Sequence, residues 1–129
     1  MAEVIDRAGW ANDPALWKGE WQGGASGAGI SVIFNHQAEP GGGPRLHRHP
    51  YPETFIVRAG TAIFTVDSET ITATAGQIVV VPAGAAHKFV NAGPGALGGV
   101  PANEIRRVDV RVFHPAIRPV LLSGYRTRY

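Results

Sequence analysis

At 129 residues, 44% apolar and 17% charged, the chain suits one globular domain with a single core and leaves little for a second module. The absence of cysteine excludes disulfides, thiolate metal ligands and a cysteine nucleophile, so any metal must sit on nitrogen and oxygen. The net charge of +2 and the pI near 9.4 come from basic residues scattered along the chain, without the clustered basic face that nucleic-acid binding requires.

The opening, Met1 to Asp13, carries Glu3, Asp6, Arg7 and Asp13 and has no apolar run of signal-peptide length, and no later stretch approaches a membrane span. The expectation is a cytoplasmic protein that engages neither membrane nor nucleic acid. Residues 1–28, with Trp10, Trp17 and Trp21, read as an N-terminal extension. These large rings either pack on the chain's own barrel or support a homodimer, and a dimer is the expectation.

Seventeen glycines and ten prolines then divide short runs rich in Val, Ile, Thr and Phe, which predicts many strands and little helix. The expected strands are Ile30 to His36, Arg45 to His49, Thr54 to Arg58, Thr61 to Asp67, Glu69 to Thr74, Ile78 to Pro82, Ala86 to Asn91 and Ile105 to Phe113. Their spacing is that of an all-β sandwich or barrel over residues 29–114. Ala59-Gly60 suits a tight hairpin, and Pro82-Ala83-Gly84 suits a turn between strands. Asn91 to Pro101 reads as a surface loop, which with Arg106 and Arg107 marks a substrate entrance or a subunit contact; 115–129 is a tail, either a short helix or an arm.

Within the barrel, Gly41, His47, His49, Glu53 and Gly60 follow the order glycine, five residues, His-x-His, three residues, glutamate, six residues, glycine. After 15 residues come Gly76, Pro82, Gly84, His87 and Asn91, in the order glycine, five residues, Pro-x-Gly, two residues, histidine, three residues, asparagine. The two stretches resemble the first and second cupin motifs at all ten specified positions and span about two fifths of the chain. The resemblance implies a double-stranded β-helix, the jelly-roll barrel of the small single-domain cupins, with one divalent transition metal on His47, His49, Glu53 and His87.

The residue chemistry agrees. In a strand, alternate side chains share a face, so His47 and His49 project together. Glu53 keeps their parity, and Pro50-Tyr51-Pro52 must bend the chain and bring its carboxylate back towards them. Barrel closure carries His87 in from another strand. Three imidazoles and a carboxylate suit iron, manganese, nickel, zinc, cobalt or copper better than calcium or magnesium. Taken one at a time each of the four is an ordinary polar residue; taken together they are costly to bury without a cation.

Other residues have two readings. Arg45 shares the parity of the histidines and either clamps an anionic ligand or lies in water at the barrel mouth. Tyr51 either reaches the bound ligand or caps the bend. Phe34, Phe55, Phe64 and Phe89 fill the interior, with Phe55 and Phe89 as candidate walls for a substrate. His36 faces solvent or core, and His114 lies beyond the β core with no assigned role.

Four ligands on an ion that accepts six leave positions open, as catalysis needs. The favoured reading is a metal-dependent enzyme of dioxygenase, isomerase or lyase type acting on a small, carboxylate-bearing organic molecule, with Glu53 and His49 handling protons. The alternative is a non-catalytic cupin that binds a sugar or acid; a structural or storage role comes last.

Overall fold

The structure, a computed structural model, describes residues 2–13, 15–93 and 108–115. It contains the strands β1 (Gly19–Gln22), β2 (Ile30–Gln37), β3 (Glu53–Ala59), β4 (Thr61–Val66), β5 (Glu69–Thr74), β6 (Ile78–Val81), β7 (His87–Asn91) and β8 (Val108–Pro115). Two single-turn 3-10 segments, Arg7–Gly9 and Gly23–Ser26, are the helical pieces among the described residues. No described helix is long and apolar enough to cross a membrane.

The strands pair antiparallel in two sheets, ordered β1-β2-β8-β3-β6 and β5-β4-β7. The architecture is the expected all-β jelly roll. Side-chain alternation decides what lies between the sheets. On β6, Ile78 and Val80 are 61% and 64% exposed while Val79 and Val81 are 8% and 0%, so this edge strand turns one face inward and leaves the other bare. The same parity sends Glu53, Phe55 and Val57 of β3 inward. Phe55 and Val57 meet Phe64 of β4, Phe89 of β7, and Val110 and Val112 of β8 in one core. The rings of Phe55 and Phe64 stand edge to face at 5.1 Å, a geometry favoured by their quadrupoles.

Several elements differ from expectation. Ala59-Gly60 is not a hairpin, because β3 and β4 belong to different sheets; Gly60, at φ 79°, is the corner where the chain passes between them. The true two-residue hairpin joins β4 to β5, where Val66 faces Glu69 and Asp67 takes φ 50°, a region that aspartate tolerates better than most residues. Arg45 to His49 is not a strand. Pro44 and Pro50 flank it and supply no ladder N–H, so only His47 pairs, in a single bridge to His87.

Phe34 does not enter the core. It points to the outer side of the five-stranded sheet, where Trp10 stacks on it at 4.0 Å and Trp17 meets it edge-on at 5.9 Å. These two tryptophans therefore pack on their own chain, and Gly19–Gln22 of the segment read as an extension pairs with β2. β8 runs two residues past the expected end, to Pro115, because Ile30 and Ser31 of β2 still offer partners there. The expected loop residues 94–101, the Arg106-Arg107 pair, the start of the last strand at 105–107 and the tail 116–129 lie outside the described residues.

Phe64→Ala should lower the unfolding free energy by about 3–5 kcal/mol, the usual cost of emptying a buried aromatic site. Val80→Ala on the bare face of β6 should change it by less than about 1 kcal/mol, since little packing is lost there. Urea denaturation of the two variants beside the parent checks both.

Candidate metal centre

The His47–His87 bridge brings two distant stretches together. The His47 N–H donates to the His87 carbonyl at 3.1 Å, and the His87 N–H donates to the His47 carbonyl at 2.8 Å. Directly paired residues project to the same side of a ladder, so the two rings meet with centroids 4.4 Å apart. The Gly84 N–H donates to the His49 carbonyl at 2.8 Å and holds the second half of the His-x-His pair against the turn that precedes β7. Gly84 has φ 82°, so its place in that turn favours glycine. After the Pro50-Tyr51-Pro52 bend, Glu53 opens β3 on its inward face, and its Oε1 lies 2.5 Å from His49 Nε2.

The candidate ligand atoms of His47, His49, Glu53 and His87 all lie within 4.8 Å of one another. Glu53, His49 and His87 are buried and His47 is half-exposed, so the cluster meets solvent on the His47 side.

One feature organises all three rings. His47 Nδ1 pairs with the Arg45 carbonyl at 2.7 Å, His49 Nδ1 with the Tyr51 carbonyl at 2.7 Å, and His87 Nδ1 with the Ala85 carbonyl at 2.8 Å. A carbonyl only accepts, so each ring must carry its proton on Nδ1, and each Nε2 is left with a lone pair unless the ring takes up a second proton. This is the arrangement that an acceptor hydrogen-bonded to the far nitrogen imposes on a metal-bound histidine, fixing its tautomer and ring direction. In sequence terms the partners sit two residues away on either side, and no residue type is needed, because a backbone oxygen does the work.

The charges are unbalanced. Burial lowers the pKa of His47, and the nearby His87 works in the same direction, so His47 lies below the ordinary histidine value of 6.5 despite the Arg45 carbonyl. Burial also acts to lower His87, but the Glu53 carboxylate, the Ala85 carbonyl and Asp67 outweigh it and hold His87 above 6.5. Asp67 acts from the β4–β5 hairpin, where its carboxylate accepts the Ala86 N–H at 3.0 Å.

A divalent cation fits this set. The buried Nε2 of His87 makes no hydrogen bond to protein and faces Glu53 Oε2 at 3.5 Å, too far for a strong bond. Ligand atoms about 2.1 Å from one ion lie at most about 4.2 Å apart, so the observed spread closes with small movements.

The remaining candidates are placed as follows. Tyr51 is buried and stacks on the His49 ring at 4.0 Å with 7° between planes. Arg45 is exposed, and its backbone carbonyl is the part that touches the cluster. Phe55 lies in the core with its ring 6.2 Å from that of His87, and Phe89 packs behind it against Phe55 and Phe64. His36 is on the outer side of β2, away from Asn35, which is buried inward. His114, placed beyond the β core by sequence reasoning, is buried on β8 with its ring 5.2 Å from Tyr51. Its parity with Val110 and Val112 carried that signal.

Asn91, the last residue of the second motif, ties the loop before the His-x-His pair to β7. Its Nδ2 donates to the Gln37 carbonyl at 2.9 Å, and its carbonyl accepts the Gly41 N–H at 2.7 Å.

Residues 35–98 match the sequence profile of the cupin domain family. No curated protein matches. Among solved structures, a cupin from Bacteroides fragilis is similar over 100% of this chain and 89% of its own, at 16% identity and a TM-score of 0.61. An RmlC-like cupin from Shewanella frigidimarina is similar over 72% and 71%, at 16% identity and a TM-score of 0.54. A conserved protein of unknown function from Streptococcus pyogenes is similar over 70% and 68%, at 20% identity and a TM-score of 0.52. At these identities the likeness is one of fold.

In metal-free protein, His87 should titrate above 6.5 and His47 below it. Glu53→Gln removes the negative charge beside His87 and should bring its pKa down. Histidine ring resonances followed by NMR against pH check the order and the change.

Proposed function

The chain belongs to the cupin superfamily, and on that premise we propose that it is a metal-dependent enzyme holding one divalent transition-metal ion on His47, His49, Glu53 and His87. Its substrate class is a small organic molecule bearing a carboxylate. The observation that carries the reading is the convergence of three imidazoles, each with Nδ1 held by a backbone carbonyl, on one buried carboxylate. An ion there supplies Lewis acidity towards a substrate carbonyl or carboxylate, or, where it is redox-active, reactivity with dioxygen.

The protein side chains divide the remaining tasks. In the loaded protein Glu53 would keep one carboxylate oxygen for the ion and the other to take or return a substrate proton, while His49, its Nδ1–H held by the Tyr51 carbonyl, would stay a neutral donor that fixes Glu53 in place. Tyr51 and Phe55 exclude water behind the imidazoles, and Phe89 supports Phe55 from the core. Arg45, exposed beside His47, is the proposed anchor for the substrate carboxylate, where a guanidinium offers a two-pronged contact.

Elemental analysis of the purified chain tests the reading. About one divalent ion per chain is expected, lost in both His49→Ala and His87→Ala while circular dichroism stays that of the parent; unchanged metal content in either variant overturns the site. An oxygen-uptake and product screen of the loaded protein then divides an enzyme from a cupin that binds without turnover.

Metal uptake should depend on pH with a definite sign. A protonated imidazole cannot ligate, so the ion must displace the proton that His87 keeps above 6.5. Affinity should rise with pH through that titration and level off beyond it, with protons released on binding. Calorimetry in buffers of different ionisation enthalpy measures both.

A further inference from the structure

The outer side of the five-stranded sheet carries a cavity that the metal centre does not use. Residues 15–17 lie across β2, β3 and β8 there and enclose about 280 Å³, with Leu16, Trp17, His36, Arg58 and Arg111 among the walls. That volume lies just below the range of about 300–1,000 Å³ usual for drug-sized ligands, which suits a smaller molecule.

Strand parity separates this cavity from the core. Glu53, Phe55 and Val57 of β3 face inward and are buried, while Arg58, the next residue on the opposite parity, is exposed on the outer side. Arg111 of β8 pairs with Phe34 of β2 and Ile56 of β3 on that same side.

The walls have a particular chemistry. Arg111 is only 7% exposed, yet its guanidinium lies 5.0 Å from the Phe34 ring centre and 5.6 Å from that of Trp17, within the range of cation–π attraction. Arg7 approaches the Trp17 ring at 4.9 Å. Trp17 itself is 49% exposed, so part of its face is open to a ligand. The Asp13 carboxylate accepts the N–H of Ala15, one of the wall residues, at 2.9 Å. Counted against Arg58 and Arg111, it leaves the described surroundings with net positive charge, and Arg7 adds to this.

We propose that this cavity is a second ligand site, independent of the metal centre, for a small organic monoanion with a flat apolar body, an aromatic carboxylate being the simplest. The carboxylate sits towards Arg58 and Arg111, whose planar guanidinium groups match its two oxygens. The ring lies against Trp17 and Leu16, where burial of apolar surface adds to binding.

The test uses the full chain after treatment with chelator, so the ion plays no part in the result. Benzoate, benzyl alcohol and inorganic phosphate are titrated separately, with tryptophan fluorescence and ligand-observed NMR as readouts. Benzoate should saturate, and benzyl alcohol and phosphate should each bind at least about tenfold more weakly, since one lacks the charge and the other the apolar body. Arg58→Gln, a surface change that leaves the core intact, should weaken benzoate by about tenfold. Absence of saturation, equal affinity in Arg58→Gln, or phosphate binding as tightly as benzoate would each overturn the proposal. Saturation seen only in metal-loaded protein would put benzoate at the ion and overturn it as well.

Discussion

A carboxylate with no contact to water has to be compensated, and Glu53 is 0% exposed. In the protein alone that compensation comes from imidazoles, His49 at 2.5 Å and His87 at 3.5 Å. A neutral imidazole balances that charge only by taking up a proton, which burial opposes. A divalent cation removes the conflict: it takes the carboxylate as an anion and the imidazoles as neutral donors, the state that burial favours for the rings. The depressed His47 and the raised His87 are two expressions of this tension, one ring yielding to desolvation and the other to the anion beside it.

The fold's contribution is to aim the donors. Each ring is fixed through Nδ1 by a backbone oxygen two residues away, so the orientation of every imidazole is set by the local path of its own chain. That path is unusual where it needs to be. A regular strand at 45–49 would commit its carbonyls to a neighbouring ladder, whereas the proline-flanked segment keeps one bridge to β7 and leaves the Arg45 and Tyr51 carbonyls for the rings. The two prolines that spoil the strand are thus part of what makes the site.

The ligand set was legible because it is written in residue identity and spacing: His-x-His, a glutamate four residues on, and a histidine after Pro-x-Gly. The core followed from period-two burial, which holds on β3 and β6. What escaped depends on partners that local sequence does not contain. Phe34 reads as core by residue type, but it alternates with Ile33, which fills the core, and so lies on the outer face beneath Trp10; Ala59-Gly60 reads as a hairpin because the sheet to which each flanking strand belongs is a long-range fact. His114 escapes for a simpler reason: the expected strand ends at Phe113, although the alternation from Val110 through Val112 points residue 114 inward.

The same alternation sets the functional geography of β3 and β8. Each strand serves two environments at once, with Glu53 and Val112 turned to the interior and Arg58 and Arg111 turned to the outer cavity. A shift of one residue in the β3–β8 register would exchange those sets, sending guanidinium groups into the core and the carboxylate into solvent. The pairing of Phe55 with Val112 and of Ile56 with Arg111 is therefore constrained from both sides, by apolar burial within and by the aromatic cover of the arginine without. The bulge after Val57 falls beyond this constrained stretch, next to Arg58 and before the Gly60 corner. A local change of register there leaves Glu53 in place while altering the direction in which the end of the strand presents its side chains to the outer face.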